Sequence, residues 1–267
     1  MWQEPFIEAI NRDFNDDPLL SALFLGGSFG RDEADAFSDA DFVAVVAVEH
    51  HADFAAAWRR RVEAIIPVVF WYEARAGGPV YNAIGKGWER IDLLITDSEG
   101  VRHRSKQGTR VLIDHAGIYE KLPDTIDWTG PDKARVSFLI AEFIRVLGLL
   151  PVTLGRKEYL TVRAGLDMQR MALFQLLSEE VERFDKGGML AWSRRLSPEQ
   201  LVLLEQLPEA NLTQQSLIDA NLAVAAAFLP RARALAERWD IEWPTQFEAA
   251  TWTHLQQSLN IQIPTSI

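Results

Sequence analysis

Two hydrophobic periods divide the chain. Up to about residue 117, short apolar runs of strand length are set between glycine-rich and polar turns. From about residue 133 onward, apolar residues recur every three or four positions, the spacing of a helix packed on one face. The first part opens with a short helix over residues 6–14, ended near Asp16-Asp17-Pro18. A strand over 22–25, a glycine turn and a second strand over 41–48 follow. Residues 52–66 predict a helix, with Phe54, Trp58, Val62 and Ile65 on one face. Residues 67–72 (Pro-Val-Val-Phe-Trp-Tyr) predict a buried strand from their β-branched and aromatic content. Gly77-Gly78-Pro79 predicts a turn, 80–84 a short strand, Gly85-Lys86-Gly87 another turn and 88–96 a strand. After a polar stretch (97–108), residues 110–117 predict the last strand and its turn.

Pro123, Asp124, Asp127, Gly130 and Pro131 have the composition of a linker, which predicts domains at 1–128 and 129–267. Beyond it, Val136, Leu139, Ile140, Phe143, Ile144, Leu147 and Leu150 form one apolar stripe, stopped or kinked by Pro151. A long helix is predicted over 157–184, with Leu160, Leu166, Met171, Phe174, Leu177, Val181 and Phe184 on its apolar face and Gly187-Gly188 at its end. Ser197-Pro198-Glu199-Gln200 is a helix start: Ser as N-cap, Pro in the first turn, Gln at the third position. Asn211 or Thr213 starts another helix that runs to about Leu229, with Pro230 at its end or at a kink, and 247–259 predicts the last. Strands followed by helices predict an α+β protein: a sheet flanked by helices, then an all-α domain.

Composition removes several classes of chemistry. The 267 residues are 48% hydrophobic, enough to fill a core, and contain no cysteine. Disulfides, thiolate zinc sites and cysteine nucleophiles are excluded. The five histidines show no paired ligand spacing. The N-terminus lacks a basic segment followed by an apolar one, and no apolar run reads as long enough to span a bilayer, so a cytoplasmic protein is expected. The net charge of −11, with no basic patch beyond the short run Arg59-Arg60-Arg61, argues against a nucleic-acid partner. It is compatible with a small cationic partner.

The chemistry gathers between residues 23 and 46. Gly26-Gly27-Ser28 ends the first strand. A bare Gly-Gly lets backbone N–H groups approach a ligand closely, and Ser28 adds a hydroxyl at the start of what reads as a short helix, a place suited to phosphate. Asp39 and Asp41 are two apart at the start of an extended run, so they point to the same face. Two such carboxylates repel unless a cation or proton lies between them, and oxygen ligands held this way suit Mg²⁺. Asp92 interrupts the apolar run Ile91, Leu93, Leu94, Ile95. One reading is a polar residue facing water. The other is a carboxylate in a central strand with little water, which needs a partner or a metal.

The order Gly27-Ser28, residues 29–38, Asp39-x-Asp41 and an apolar strand resembles the signature of the polymerase-β-like nucleotidyltransferase superfamily. Arg31 matches a basic residue common in that loop, while Asp32 stands where many members have glycine, and Glu33 and Asp35 make the loop unusually acidic. The residues 110–117 resemble the segment that closes the catalytic domain of antibiotic nucleotidyltransferases. Gly155-Arg156-Lys157-Glu158-Tyr159 resembles a stretch in the helical domain of lincosamide nucleotidyltransferases. The resemblance implies a mixed sheet followed by a helical-bundle domain. It also implies transfer of AMP (or another NMP) from ATP or another NTP to a hydroxyl of a small molecule, an aminoglycoside or a lincosamide, with release of pyrophosphate. Asp39 and Asp41 would hold Mg²⁺, with Asp92 as the third acidic residue. Gly27 and Ser28 would hold the terminal phosphates, assisted by Arg31. Asp92 would bind a second metal or act as general base, with Glu158 as the rival base. Some relatives complete their cleft with a second subunit, so a homodimer is one expectation. A regulatory or toxin–antitoxin-type module, or transfer directed at a protein, is the alternative. Arg163, Asp167 and Arg170 recur on one side of the long helix, where they either pair with one another or line a cleft.

Overall fold

The computed structural model describes residues 2–74, 79–185 and 189–261; the turn at Gly77-Gly78 and the helix end at Gly187-Gly188 lie outside the described residues. The chain forms two compact units, Met1–Ile126 and Asp127–Ile267.

The first unit is a six-stranded sheet of order β3-β4-β5-β2-β1-β6, built from β1 (Leu20–Leu25), β2 (Ala40–Val46), β3 (Val68–Ala74), β4 (Val80–Gly85), β5 (Arg90–Thr96) and β6 (Arg110–Asp114). β2 and β5 run parallel; the other neighbours are antiparallel, so the sheet is mixed. Helix α1 (Gln3–Phe14) and, after the single helical turn α2 (Gly27–Gly30) that follows β1, helix α3 (His51–Ile65) carry the apolar stripes that cover one face. There Phe42 meets Trp58 at 4.9 Å between ring centroids, and Phe14 meets Trp58 at 5.4 Å. Leu23, Leu25, Phe42, Ala44, Ile91, Leu93 and Ile95 pack into this core. The alternate residues Phe24, Val43 and Val45 face the other side and form a smaller cluster with Val101 and Ile118.

Two strand readings are corrected. β3 is not buried: Val69, Phe70 and Tyr72 are exposed, because β3 is the sheet's edge and pairs only with β4. Its β-branched and aromatic content marked a strand but not its burial. β5 is central but alternates. Ile91, Leu93 and Ile95 are buried, while Arg90, Asp92 and Leu94 on the other face are half-buried.

The second unit is helical: α4 (Lys133–Gly148), α5 (Leu150–Gly155), α6 (Tyr159–Glu180), α7 (Pro198–Glu205), α8 (Gln214–Arg238) and α9 (Thr245–Leu259). Its core joins the α4 stripe to α6 and α8, with Phe143 stacked on Phe228 at 4.0 Å. Asp132 caps α4 by accepting from the Arg135 N–H, and Ser197 with Gln200 closes a capping box on α7. Pro151 sits in the first turn of α5 and restarts the helix. Pro230 lies inside α8, which continues eight residues past it to Arg238, held there by packing of Ala232, Leu235 and Ala236. The buried side of α6 is Val162, Leu166, Gln169, Leu173, Leu176 and Leu177; Leu160 and Phe184 are exposed and Met171 largely so. The apolar residues of α6 outnumber one face, so composition alone misplaced the stripe. Lys133–Gly155, which spans α4 and α5, does reach the length and apolar content of a membrane crossing. Its buried side supplies the helical core.

Candidate functional site

The backbone brings the three aspartates together by register. In the parallel pair β2/β5, Asp41 lies directly beside Asp92. Both point to the face opposite α1 and α3, and Asp39, two residues before Asp41, enters from the loop ahead of β2. One carboxylate oxygen from each of Asp39, Asp41 and Asp92 lies within 4.8 Å of the others.

Each aspartate is positioned separately. Arg90 reaches Asp39 at 3.3 Å and donates to the Phe37 carbonyl at 2.8 Å, which anchors the loop carrying Asp39. Asn82 stands opposite Asp92 in the β4/β5 register and donates to its Oδ1 at 2.7 Å. Asp41 is packed against the glycine turn. A Cβ on Gly27 would fall 1.8 Å from Asp41 Oδ2, and Gly27 has φ +53, so this residue must be glycine on both counts. The Gly26 N–H donates to the Asp41 carbonyl at 2.9 Å, which ties the turn to the start of β2.

Burial, then repulsion from Asp39 and Asp92, pushes the Asp41 carboxyl up to about 7, against the pull of the Arg31 and Arg104 guanidinium groups. Burial also raises Asp92 above the ordinary carboxylate range; the Asn82 hydrogen bond and Arg90 oppose the rise, and Asp39 adds to it. Three oxygen donors, like in charge and partly desolvated, form a set that a hard divalent cation fits.

Beside them lies a second sign of an open valence. The Ser28 hydroxyl is buried and has no hydrogen-bond partner among the described residues. Arg104 brings its guanidinium over Gly26, 2.9 Å from where a Cβ would stand. Arg31 pairs with Glu33 at 3.0 Å. Asp32 adopts φ +58, the left-handed conformation that glycine takes most easily and aspartate tolerates.

Of the residues singled out from sequence, Gly27, Ser28, Arg31, Asp39, Asp41 and Asp92 lie at this end of the sheet. Glu158 belongs to the helical unit, at the boundary of α6, where its N–H donates to the Thr153 carbonyl. Arg163 pairs with Asp167, and Arg163 and Arg170 reach Glu209 and the carbonyls of Ala210 and Pro208, so this set straps α6 to the loop before α8. Sequence reasoning missed Asn82, Arg90 and Arg104. Arg90 had a signal, since it is two residues from Asp92 on the same strand face. Asn82 and Arg104 become neighbours of the aspartates only through strand pairing and loop packing.

No family model matches the chain, and no curated protein does. Among solved structures, the chain is similar to an aminoglycoside 6-adenyltransferase from Bacillus subtilis, with 15% identity over 93% of this chain and 97% of that one and a TM-score of 0.41. It is similar to a nucleotidyltransferase-like protein from Exiguobacterium sibiricum, with 13% identity over 96% and 88% and a TM-score of 0.36. It is also similar to the Thermotoga maritima CCA-adding enzyme complexed with tRNA, with 15% identity over 95% and 69% and a TM-score of 0.35. These likenesses are slight.

Proposed function

We propose that the protein is a Mg²⁺-dependent nucleotidyltransferase that moves AMP, or another nucleoside monophosphate, from ATP or another NTP to a hydroxyl of a small molecule, with an aminoglycoside or a lincosamide as the acceptor. The observation that carries this reading is the gathering of Asp39, Asp41 and Asp92 beside a glycine turn whose buried Ser28 hydroxyl has no partner.

Asp39 and Asp41, with Asp92, would hold the cation. When bound, it supplies charge neutralisation for the triphosphate and for the charge that develops at the α-phosphorus. Ser28 Oγ and the Gly27 backbone take the terminal phosphates, with Arg31 and Arg104 adding positive charge next to them. The acceptor oxygen bonds to the α-phosphorus, and the bond from that phosphorus to the bridging oxygen of the β-phosphate breaks, releasing pyrophosphate. The hydroxyl proton passes to a carboxylate. Asp92 suits this task because its raised pKa brings a base closer to neutral pH; Glu158 is the rival. Asn82 holds Asp92 by one oxygen, which leaves the other for the proton or the cation.

The acidic balance of the chain favours a cationic acceptor over a nucleic acid. The test is to incubate the protein with Mg²⁺ and ATP, CTP, GTP or UTP against a panel of aminoglycosides and lincosamides, and to read the mass added to each acceptor. Addition of one NMP, lost in Asp41→Asn, is expected. Label appearing on a protein in place of the panel would move the acceptor to the protein class; no transfer from any NTP to any acceptor would overturn the reading.

A further inference from the structure

Within the helical unit, α4 and α6 leave an open groove of about 560 Å³ between them. That is the size of a site for a drug-sized molecule. Its walls are mainly apolar, with Phe138 (64% exposed), Met168 and Met171 at the rim. The lining includes Gln169, which is 1% exposed, and neither its amide nitrogen nor its amide oxygen has a hydrogen-bond partner among the described residues. The contrast with Gln200 in the same unit is direct: that buried amide donates to the Leu177 carbonyl and to Glu180 and accepts from the Ser197 N–H. A buried primary amide with both ends unmet is uncommon in a folded chain and marks a place where something else completes it.

We infer that this groove binds an uncharged, flat, largely apolar ring compound with a hydrogen-bond donor and acceptor side by side, the edge of a cyclic amide. Three observations set this chemistry. The end of the Gln169 amide presents an N–H donor beside a carbonyl acceptor, and the edge that meets both at once is an acceptor beside a donor. The apolar walls suit a ring. Among the described residues, the charged side chains in the lining are Glu142 and Asp167, and both already have a cation: Arg145 makes two bonds to Glu142, and Arg163 pairs with Asp167. No unmatched charge remains to select an ion. Gln169 lines the groove together with the exposed Met168 and Met171, whose unbranched side chains move aside at little cost. This site stands independently of nucleotidyl transfer.

The probe is 2-quinolone, with N-methyl-2-quinolone as the same shape lacking the donor, and naphthalene lacking both polar groups. Binding to the full chain is followed by titration calorimetry and by saturation-transfer NMR. 2-Quinolone is expected to bind about tenfold more tightly than its N-methyl form, since methylation leaves the glutamine oxygen buried and unmet. Gln169→Leu should abolish that tenfold preference and raise the affinity for naphthalene. Phe138→Ser, at a position that is 64% exposed, should weaken both quinolones equally. Equal affinities for the two quinolones, a preference that survives Gln169→Leu, or no binding of any probe would each overturn the inference. So would a concentration-dependent dimer in sedimentation that Phe138→Ser dissociates, because a second copy would then be the occupant of the groove.

Discussion

Asp39, Asp41 and Asp92 at the end of the sheet, gathered by strand register, and Arg163, Asp167 and Arg170 on α6, gathered by helical spacing, are both sets of three charged residues on one side of an element. Their electrostatics are opposite. On α6 the signs alternate, the side chains satisfy one another, and the surplus cations close onto Glu209 and two loop carbonyls. The charges of that cluster are paired without a ligand, although the buried Arg170 Nε makes no hydrogen bond among the described residues. At the sheet the three charges have one sign, burial and mutual repulsion hold Asp41 near 7, and the neighbouring Ser28 hydroxyl is unmatched. The structure holds repelling carboxylates against their own electrostatics, by the Asp41–Asp92 register, the Gly27 contact and the Arg90 and Asn82 bonds. A site for a ligand is recognised by this uncompensated balance, and spacing alone does not distinguish it.

If the contrast is right, Asp41→Asn should remove nucleotidyl transfer by about 10³-fold or more, which is several kcal/mol of lost transition-state stabilisation. The measurement is acceptor mass gain or pyrophosphate release; transfer near the parent rate would mean that Asp41 does not hold the cation. Gly27→Ala drives a methyl onto Asp41 and places a side chain in a left-handed conformation. A loss of about 10²-fold in transfer is expected from the displaced carboxylate, together with about 1–3 kcal/mol of stability, read by kinetics and by denaturant unfolding.

The repulsion should also be visible without any substrate. Asp41 titrates near 7 in the folded chain and near 3.8 when unfolded. Between those values the folded state binds more protons, so stability falls as pH rises through that window. Without a divalent cation at pH 8, Asp41→Asn is expected to be more stable than the parent by on the order of 4 kcal/mol, with the gap closing near pH 4. Mg²⁺ should raise the parent's melting temperature and leave the variant's unchanged. Identical melting profiles for the two chains across this range would remove the frustrated character assigned to the cluster.

Asn82→Ala leaves all three aspartates in place but frees Asp92, and should lower transfer about tenfold, as loss of an outer partner of a metal or base residue does. Asp167→Asn on α6 tests the other side of the comparison. It should change stability by less than about 0.5 kcal/mol and leave the transfer rate within about twofold. A large loss of transfer there would mean that the α6 cluster is not the self-contained strap its ion pairs describe.

Much of the fold was readable in the chain because the local rules are strong. The change of period from strands to helices, the Ser197 capping box, the glycine turn after β1 and the pairing of Asp39 with Asp41 all depend on residues within a few positions of one another. The mixed six-stranded sheet followed by helices accords with the α+β expectation. What local patterning did not carry was decided by partners far away in the chain. β3 has the composition of a buried strand, but burial depends on its place in the sheet, and strand order put it at the edge. The apolar residues of α6 were too many for one face, so only contact with α4 and α8 selected Val162, Leu166 and Leu173 for the core. Pro230 usually ends a helix, yet packing on both sides carries α8 past it. The raised carboxyl of Asp41, the roles of Asn82 and Arg104, and the unmet amide of Gln169 have no local signature at all. Each arises from desolvation, or from groups brought close by strand register and helix packing, and these energies exist only once distant parts of the chain have met.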